Sequence, residues 1–253
     1  MLARGKRQRA AAEDNRYDLG VIGSRMDYFW YWKPQDRFPP PAITRPQEFA
    51  GGDRLTVACT QTDFPAREQR ALVREWCDAL PTLKGIKLLW FSSRVSQDLF
   101  DAACRVPGLE GLYIKWSGIK DLSSVEHSSE LRYFHLGQSA SVKSISPLAR
   151  KLNLRWLGLE LLSHVRHLEP LAQLTGLEGL SLEGSMSTTW RVKSLAPVGA
   201  LINLRYLSIA NLRSEDRTLA GIFSVSQLET FHHATWWNGT ELDEIRRRNP
   251  KLA

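Results

Sequence analysis

Apolar residues in this chain return in a fixed phase. The unit L-x-x-L-x-L occurs as Leu109-x-x-Leu112-x-Ile114 and recurs from Leu131, Leu154, Leu177 and Leu204. Ile86-x-x-Leu89-x-Phe91 fits upstream. Leu228-x-x-Phe231 fits downstream, with His233 in the third apolar position. The starts lie 23, 22, 23, 23, 27 and 24 residues apart. A period in this range marks a solenoid, in which each unit buries its apolar side only against its neighbours. Alternation inside the unit predicts a strand. A second motif follows it, as Ile119-x-x-Leu122, Ile145-Ser-Pro-Leu148, Leu168-Glu-Pro-Leu171 and Leu195-Ala-Pro-Val198. That spacing predicts a short helical turn packed inward and started by its proline. Each unit is then a strand, a bend and a short return.

These residues resemble leucine-rich repeats of the bacterial 22–23-residue kind seen in internalin-like proteins. Ser146–Leu157 and Leu168–Leu180 carry the resemblance most clearly. It implies an α/β leucine-rich-repeat solenoid with a parallel concave β-sheet of seven or eight strands, short helical or irregular convex returns, and capping helices. It also implies binding rather than chemistry. The family places Asn three residues after the third apolar position, where its amide satisfies backbone groups at the bend. Here Ser117, Ser139, Leu162, Ser185 and Leu212 stand there. Serine serves part of that role and leucine none, so the bends at Leu162 and Leu212 are expected to be less regular. The longest unit carries an insertion at 185–190, expected as a loop beside the sheet.

The repeats are assigned to 86–235. A solenoid must cap its open ends. Residues 53–85 read as a strand–helix cap: Leu55, Val57 and Cys59 alternate, and Asp63-Phe-Pro-Ala-Arg opens a helix as a capping acid followed by an early proline. Leu72, Val73, Trp76, Ala79 and Leu80 form its apolar side, which makes Trp76 a core residue. Residues 236–253 read as a C-terminal capping helix with Thr240 as N-cap, acids early and arginines late, as the helix dipole favours. Residues 1–16 read as a disordered basic tail. Residues 17–52 read as an aromatic and proline-rich arm, with Tyr28–Trp32 packing along the cap or folding over the concave face; a proline-rich docking peptide is the other reading.

Strand alternation sends the residues between the apolar positions onto the concave face. One outward row is Leu88, Gly111, Tyr133, Trp156, Gly179, Tyr206 and Thr230. The next is Trp90, Tyr113, His135, Gly158, Ser181, Ser208 and His232, and the third runs from Ser92 through Lys115, Glu160 and Glu183 to Ala234. Trp90, Tyr113, Tyr133, His135 and Trp156 are expected to form a contiguous exposed aromatic band. With Tyr206 and His232 they are the candidate protein-binding residues, since Trp and Tyr dominate binding hot spots. A second copy of the chain is the alternative occupant. The rows hold one Lys, no Arg and two Glu, a poor match for phosphate.

Composition narrows this little. The chain has 253 residues, 43% of them apolar, and a net charge of +7. The excess gathers at Arg4, Lys6, Arg7, Arg9 and Arg16 and at Arg246, Arg247, Arg248 and Lys251, which leaves contact of the basic ends with nucleic acid as the alternative function. Cys59, Cys77 and Cys104 form no C-x-x-C pair and read as small buried hydrophobes in a reducing compartment. No apolar run approaches a membrane span, and the basic start lacks the apolar core of a signal peptide. Together these point to a cytoplasmic protein, for which the sequon at Asn238 is without consequence. No nucleophile elbow, P-loop or dinucleotide fingerprint occurs. His164-x-x-His167 lacks a third ligand, His232 and His233 point to opposite faces, and Glu160 and Glu183 read as solvated acids. The sequence therefore predicts no enzyme, no cofactor and no metal.

Overall fold

The computed structural model describes residues 19–23, 39–185, 187–234 and 236–252. Its strands are β1 (Leu19–Gly23), β2 (Arg54–Val57), β3 (Leu88–Phe91), β4 (Gly111–Ile114), β5 (Tyr133–Leu136), β6 (Trp156–Glu160), β7 (Gly179–Glu183), β8 (Trp190–Val192), β9 (Tyr206–Ile209), β10 (Leu212–Ser214) and β11 (Thr230–Ala234). The main sheet runs β1-β11-β9-β7-β6-β5-β4-β3-β2. Eight of its strands are parallel, and β1 closes one end by pairing antiparallel with β11.

The repeat sets the register. Leu89, Leu112, Phe134, Leu157, Leu180, Leu207 and Phe231 are direct cross-strand neighbours, and all are buried. A slip of one residue would turn this whole row outward, so burial holds the phase. His233 takes the third apolar position of the last unit and is buried, with burial pulling its pKa down.

The convex returns are 3-10 turns at Ser123–His127, Ser146–Arg150, Glu169–Gln173, Ala196–Ala200 and Ala220–Ile222. Proline opens the middle three, where its missing N–H is no loss. In the first of the five the inward residues are Leu122 and Val125, so Ile119-x-x-Leu122 lies three residues early against the other motifs. Ile119 instead lies in a buried row with Val95, Val142, Val165 and Val192. Leu219-Ala-Gly-Ile222 is a further copy of the motif that lacks the proline. One return is a true helix, α2 (Gln97–Ala103), capped by the Ser96 side chain, which accepts from the Leu99 N–H at 3.3 Å.

The bends differ in what their side chains do rather than in their backbone, since a residue of positive φ precedes Ser139 (Gln138) as well as Leu162 and Leu212. The Ser117 and Ser139 hydroxyls lie 2.6 Å apart in the core, Ser117 accepts the Ile119 N–H and Ser139 donates to the Gly137 carbonyl. They take the place of the missing asparagines. Leu162 and Leu212 are buried instead, and the residue before each, Leu161 or Asn211, adopts a left-handed backbone. The insertion is more than a loop: it leads into β8, which pairs in parallel with β10 as a small second sheet. Trp190 is fully buried there, its indole N–H donating to the Val165 carbonyl at 2.7 Å.

At the N-terminal end, helix α1 (Ala66–Ala79) covers the first strands with Leu72 and Trp76, and the Trp76 indole donates to the Thr44 carbonyl at 2.8 Å. Pro65 rather than Asp63 occupies the N-cap, with no side-chain cap. At the other end Asn238, not Thr240, caps α3 (Gly239–Arg248). Asn249 then clamps the last repeat, donating to Val225 and Ile245 and accepting from the Leu228 N–H. The strand β1 lies within the stretch read as an irregular arm, and its partner comes from the far end of the chain, with Val21 opposite His232. The basic tail and the aromatic run Tyr28–Trp32 fall outside the described residues.

Candidate binding face

Strand register brings the candidate residues together. Trp90, Tyr113 and His135 are consecutive cross-strand neighbours on β3, β4 and β5, as are Tyr133 and Trp156 on β5 and β6. The rings stack as a staircase. Centroids of Trp90 and Tyr113 are 3.8 Å apart, those of Tyr113 and His135 4.5 Å, and those of His135 and Trp156 5.9 Å, with interplanar angles of 30°, 10° and 28°. Pairs of this kind add to the area they bury.

Two glycines let Trp156 join the staircase from the neighbouring row. A Cβ on Gly158 would lie 2.5 Å from both the Trp156 indole and the His135 ring, and one on Gly179 would lie 2.3 Å from the indole. The indole therefore lies flat over β6 and β7, in space that any side chain would fill. Tyr206 and His232 form a separate pair on β9 and β11, edge to face at 5.4 Å, with the phenol oxygen 3.3 Å from His232 Nδ1.

Between the two aromatic groups the face is small and polar. The Ser181 and Ser208 hydroxyls each donate to one oxygen of Glu183 at 2.6 Å. Glu183 is half-buried and lies in register with Glu160. It is a held carboxylate rather than a freely solvated one.

The band is not the open apolar patch that strand alternation suggested. Trp90, His135, Trp156 and Tyr206 retain only 6%, 7%, 4% and 1% of their exposure, while Tyr113, Tyr133 and His232 are half-buried. Ring-on-ring stacking and the glycine floor cover part of each ring, and all seven side chains have further interactions beyond the pairs named. Burial drives the His135 pKa down to about 3, so the staircase is uncharged at neutral pH. Burial, followed by the Glu183 charge, raises that of Tyr206.

Other candidate groups are not brought together. His167 lies 3.5 Å from Glu169, and among the described residues no three His, Cys, Asp or Glu side chains are grouped to hold a metal. The three cysteines are free thiols whose pKa values burial raises to about 12, about 11 and about 12 for Cys59, Cys77 and Cys104. Thiols so protonated are poor nucleophiles. On α3, Arg246 pairs with Asp243, and Arg247 and Arg248 both pair with Glu244. Among the described residues no helix is long and apolar enough to cross a membrane.

The in-phase strands, the 3-10 returns and the two caps define a leucine-rich-repeat solenoid. No family model and no curated protein matches the chain. Among solved structures it is similar to an internalin C2 of Listeria monocytogenes, at 22% identity and a TM-score of 0.48 over 62% of this chain and 70% of that one. It is similar also to an internalin F of the same organism, at 14% identity and a TM-score of 0.39, over 66% of each chain. A leucine-rich-repeat protein of Leptospira interrogans aligns at 15% identity and a TM-score of 0.42, over 68% of this chain but only 49% of its own length. At these identities the likeness concerns the fold alone.

Proposed function

We propose that the chain is a non-enzymatic bacterial protein-binding module that grips a protein partner on its concave face. The observation that carries this reading is the Trp90–Tyr113–His135–Trp156 staircase seated on Gly158 and Gly179. Large rigid rings on a regular sheet are the side chains that concentrate binding energy. The solenoid core needs none of them, because its apolar rows face the other way. The Glu183 carboxylate beside the rings gives the same face a fixed acceptor for a basic group on the partner. A cytoplasmic role fits this reading, either as an immunity-type inhibitor of a toxin or as a subunit of a regulatory or defence assembly.

The test is affinity capture from the native host by the parent protein and by a Trp90→Ala/Trp156→Ala variant, followed by titration of the captured protein. Both rings are largely buried, so the variant should melt below the parent; titrated at a temperature where its melt shows it folded, it should lose about 2 kcal/mol or more of binding energy per ring. A partner held equally well by the variant would remove the concave face as the site.

A further inference from the structure

A second charged surface runs along the flank where the strands turn into the convex returns. The buried residues Val95, Ile119, Val142, Val165, Val192 and Ser214 mark it, one per repeat. Backbone bonds hold it in phase: the Gly118 N–H donates to the Val95 carbonyl, Lys193 to Arg166 and Glu215 to Val192. The residue following the buried position is Lys120, Lys143, Arg166 and Lys193 in four successive repeats, all exposed. The residue preceding it is His164, Arg191 and Arg213 in three successive repeats, and then Trp236.

The two arginines are direct neighbours across β8 and β10. Arg213 lies over the Trp236 ring at 4.4 Å, and that ring keeps 41% of its exposure. Arg166 and Lys193 share Glu215, whereas Lys120, Lys143, Arg191 and Arg213 pair with no carboxylate among the described residues. A recess of about 420 Å³ opens between two of the repeats, lined by Lys143, Ser144, Ser146, His164, Arg166, His167 and Glu169, the last two 3.5 Å apart, and is therefore of mixed charge.

Arg191 and Arg213, about 4.8 Å apart on adjacent strands, repel one another. The core asks nothing of these outward positions, and Glu215 offsets only Arg166 and Lys193, so a polyanion relieves the charge that remains along the flank. We propose that this flank binds a single-stranded polynucleotide. The two cation rows follow the phosphodiester backbone, and Trp236 offers a stacking face to a base. An exposed indole beside arginine favours a single strand, because a duplex keeps its base faces covered. The other exposed large apolar side chains among the described residues, Phe64, Leu152 and Ile202, belong to none of these rows.

The test is fluorescence anisotropy with a labelled 20-mer of oligouridine, titrated against the full chain across a range of salt. Each phosphate contact on a single strand contributes a slope of about −0.7 in log K against log salt. A Lys120→Gln/Lys143→Gln/Arg191→Gln/Arg213→Gln variant should lose about 2–3 units of slope and bind about tenfold or more weakly. Trp236→Ala should weaken binding about fivefold or more and leave the slope unchanged. Neutralising Arg4, Lys6, Arg7 and Arg9 to Gln should leave the slope of the flank intact. All of these sites are solvent-facing or outside the described residues, and a thermal melt confirms that each variant is folded. Absence of binding by the parent chain, an unchanged slope in the quadruple variant, or binding to anionic phosphatidylglycerol vesicles without binding to the oligonucleotide each overturns the proposal.

Discussion

Replacing Gly179 by Ala isolates the physical basis of the aromatic staircase. The added Cβ would stand 2.3 Å from indole Cδ1 of Trp156 and 2.7 Å from its Nε1. Ordinary contact needs about 3.5 Å, so the ring must lift by roughly 1 Å. The substitution also reduces the freedom of the unfolded chain, which by itself stabilises by about 0.4–1 kcal/mol. Overpacking costs about 1–3 kcal/mol, centred on ~2, and subtracting the central gain of ~0.7 predicts a net loss of about 1.3 kcal/mol. In a chain of this size each kcal/mol lowers the melting temperature by about 2–4 °C. The assay is urea unfolding of Gly179→Ala and Trp156→Ala, singly and together, with Gly239→Ala as control. Nothing lies within 4 Å of a Cβ at Gly239, in the first turn of α3. That control should gain stability. The double variant should recover about 1 kcal/mol or more relative to the sum of the single losses, since truncating Trp156 removes the ring that the new methyl would strike. Gly179→Ala as stable as the parent, with no coupling to Trp156, would refute the idea that the glycines exist to seat the indole.

His135 gives a pH dependence. Its folded pKa, about 3, lies below the ordinary histidine value of 6.5, so the unfolded chain takes up the proton first as pH falls. The stability that this histidine supports is complete above pH 6.5 and declines as pH falls towards 3, by an upper limit of about 5 kcal/mol. His135→Phe keeps a ring in the stack and should flatten that part of a denaturation-against-pH curve; an unchanged acid limb would place the titration elsewhere. The thiols supply a reactivity test. With pKa values of about 11 to about 12, Cys59, Cys77 and Cys104 should resist iodoacetamide at about pH 7.5 in the native protein and react once it is unfolded in urea. Rapid native labelling of any of them would contradict the burial that raises their pKa values.

Much of this molecule is written in its local pattern. L-x-x-L-x-L has one residue in two facing the core at a constant period, and stacked units satisfy it with a single register. The strands, the rows on the concave face and the convex proline turns can therefore be assigned residue by residue. The seven ring-bearing positions follow for the same reason: alternation alone decides which side they leave the sheet. Pattern fails where a partner distant in sequence decides the outcome. Strand β1 exists because the edge of β11, at the far end of the chain, offers it hydrogen bonds. Trp190 is core because the inserted residues lead it back to Val165 and to β10. A lysine is ordinarily a surface cation, yet the Lys151 side chain is buried after the Ser146–Arg150 turn and its ammonium donates to the Ser128 carbonyl at 2.5 Å. Above all, sequence can give the side from which Trp156 leaves the sheet but not where its ring comes to rest. That depends on the empty space over Gly158 and Gly179, one of them on the next strand, and only the packed solenoid brings that space and the indole together.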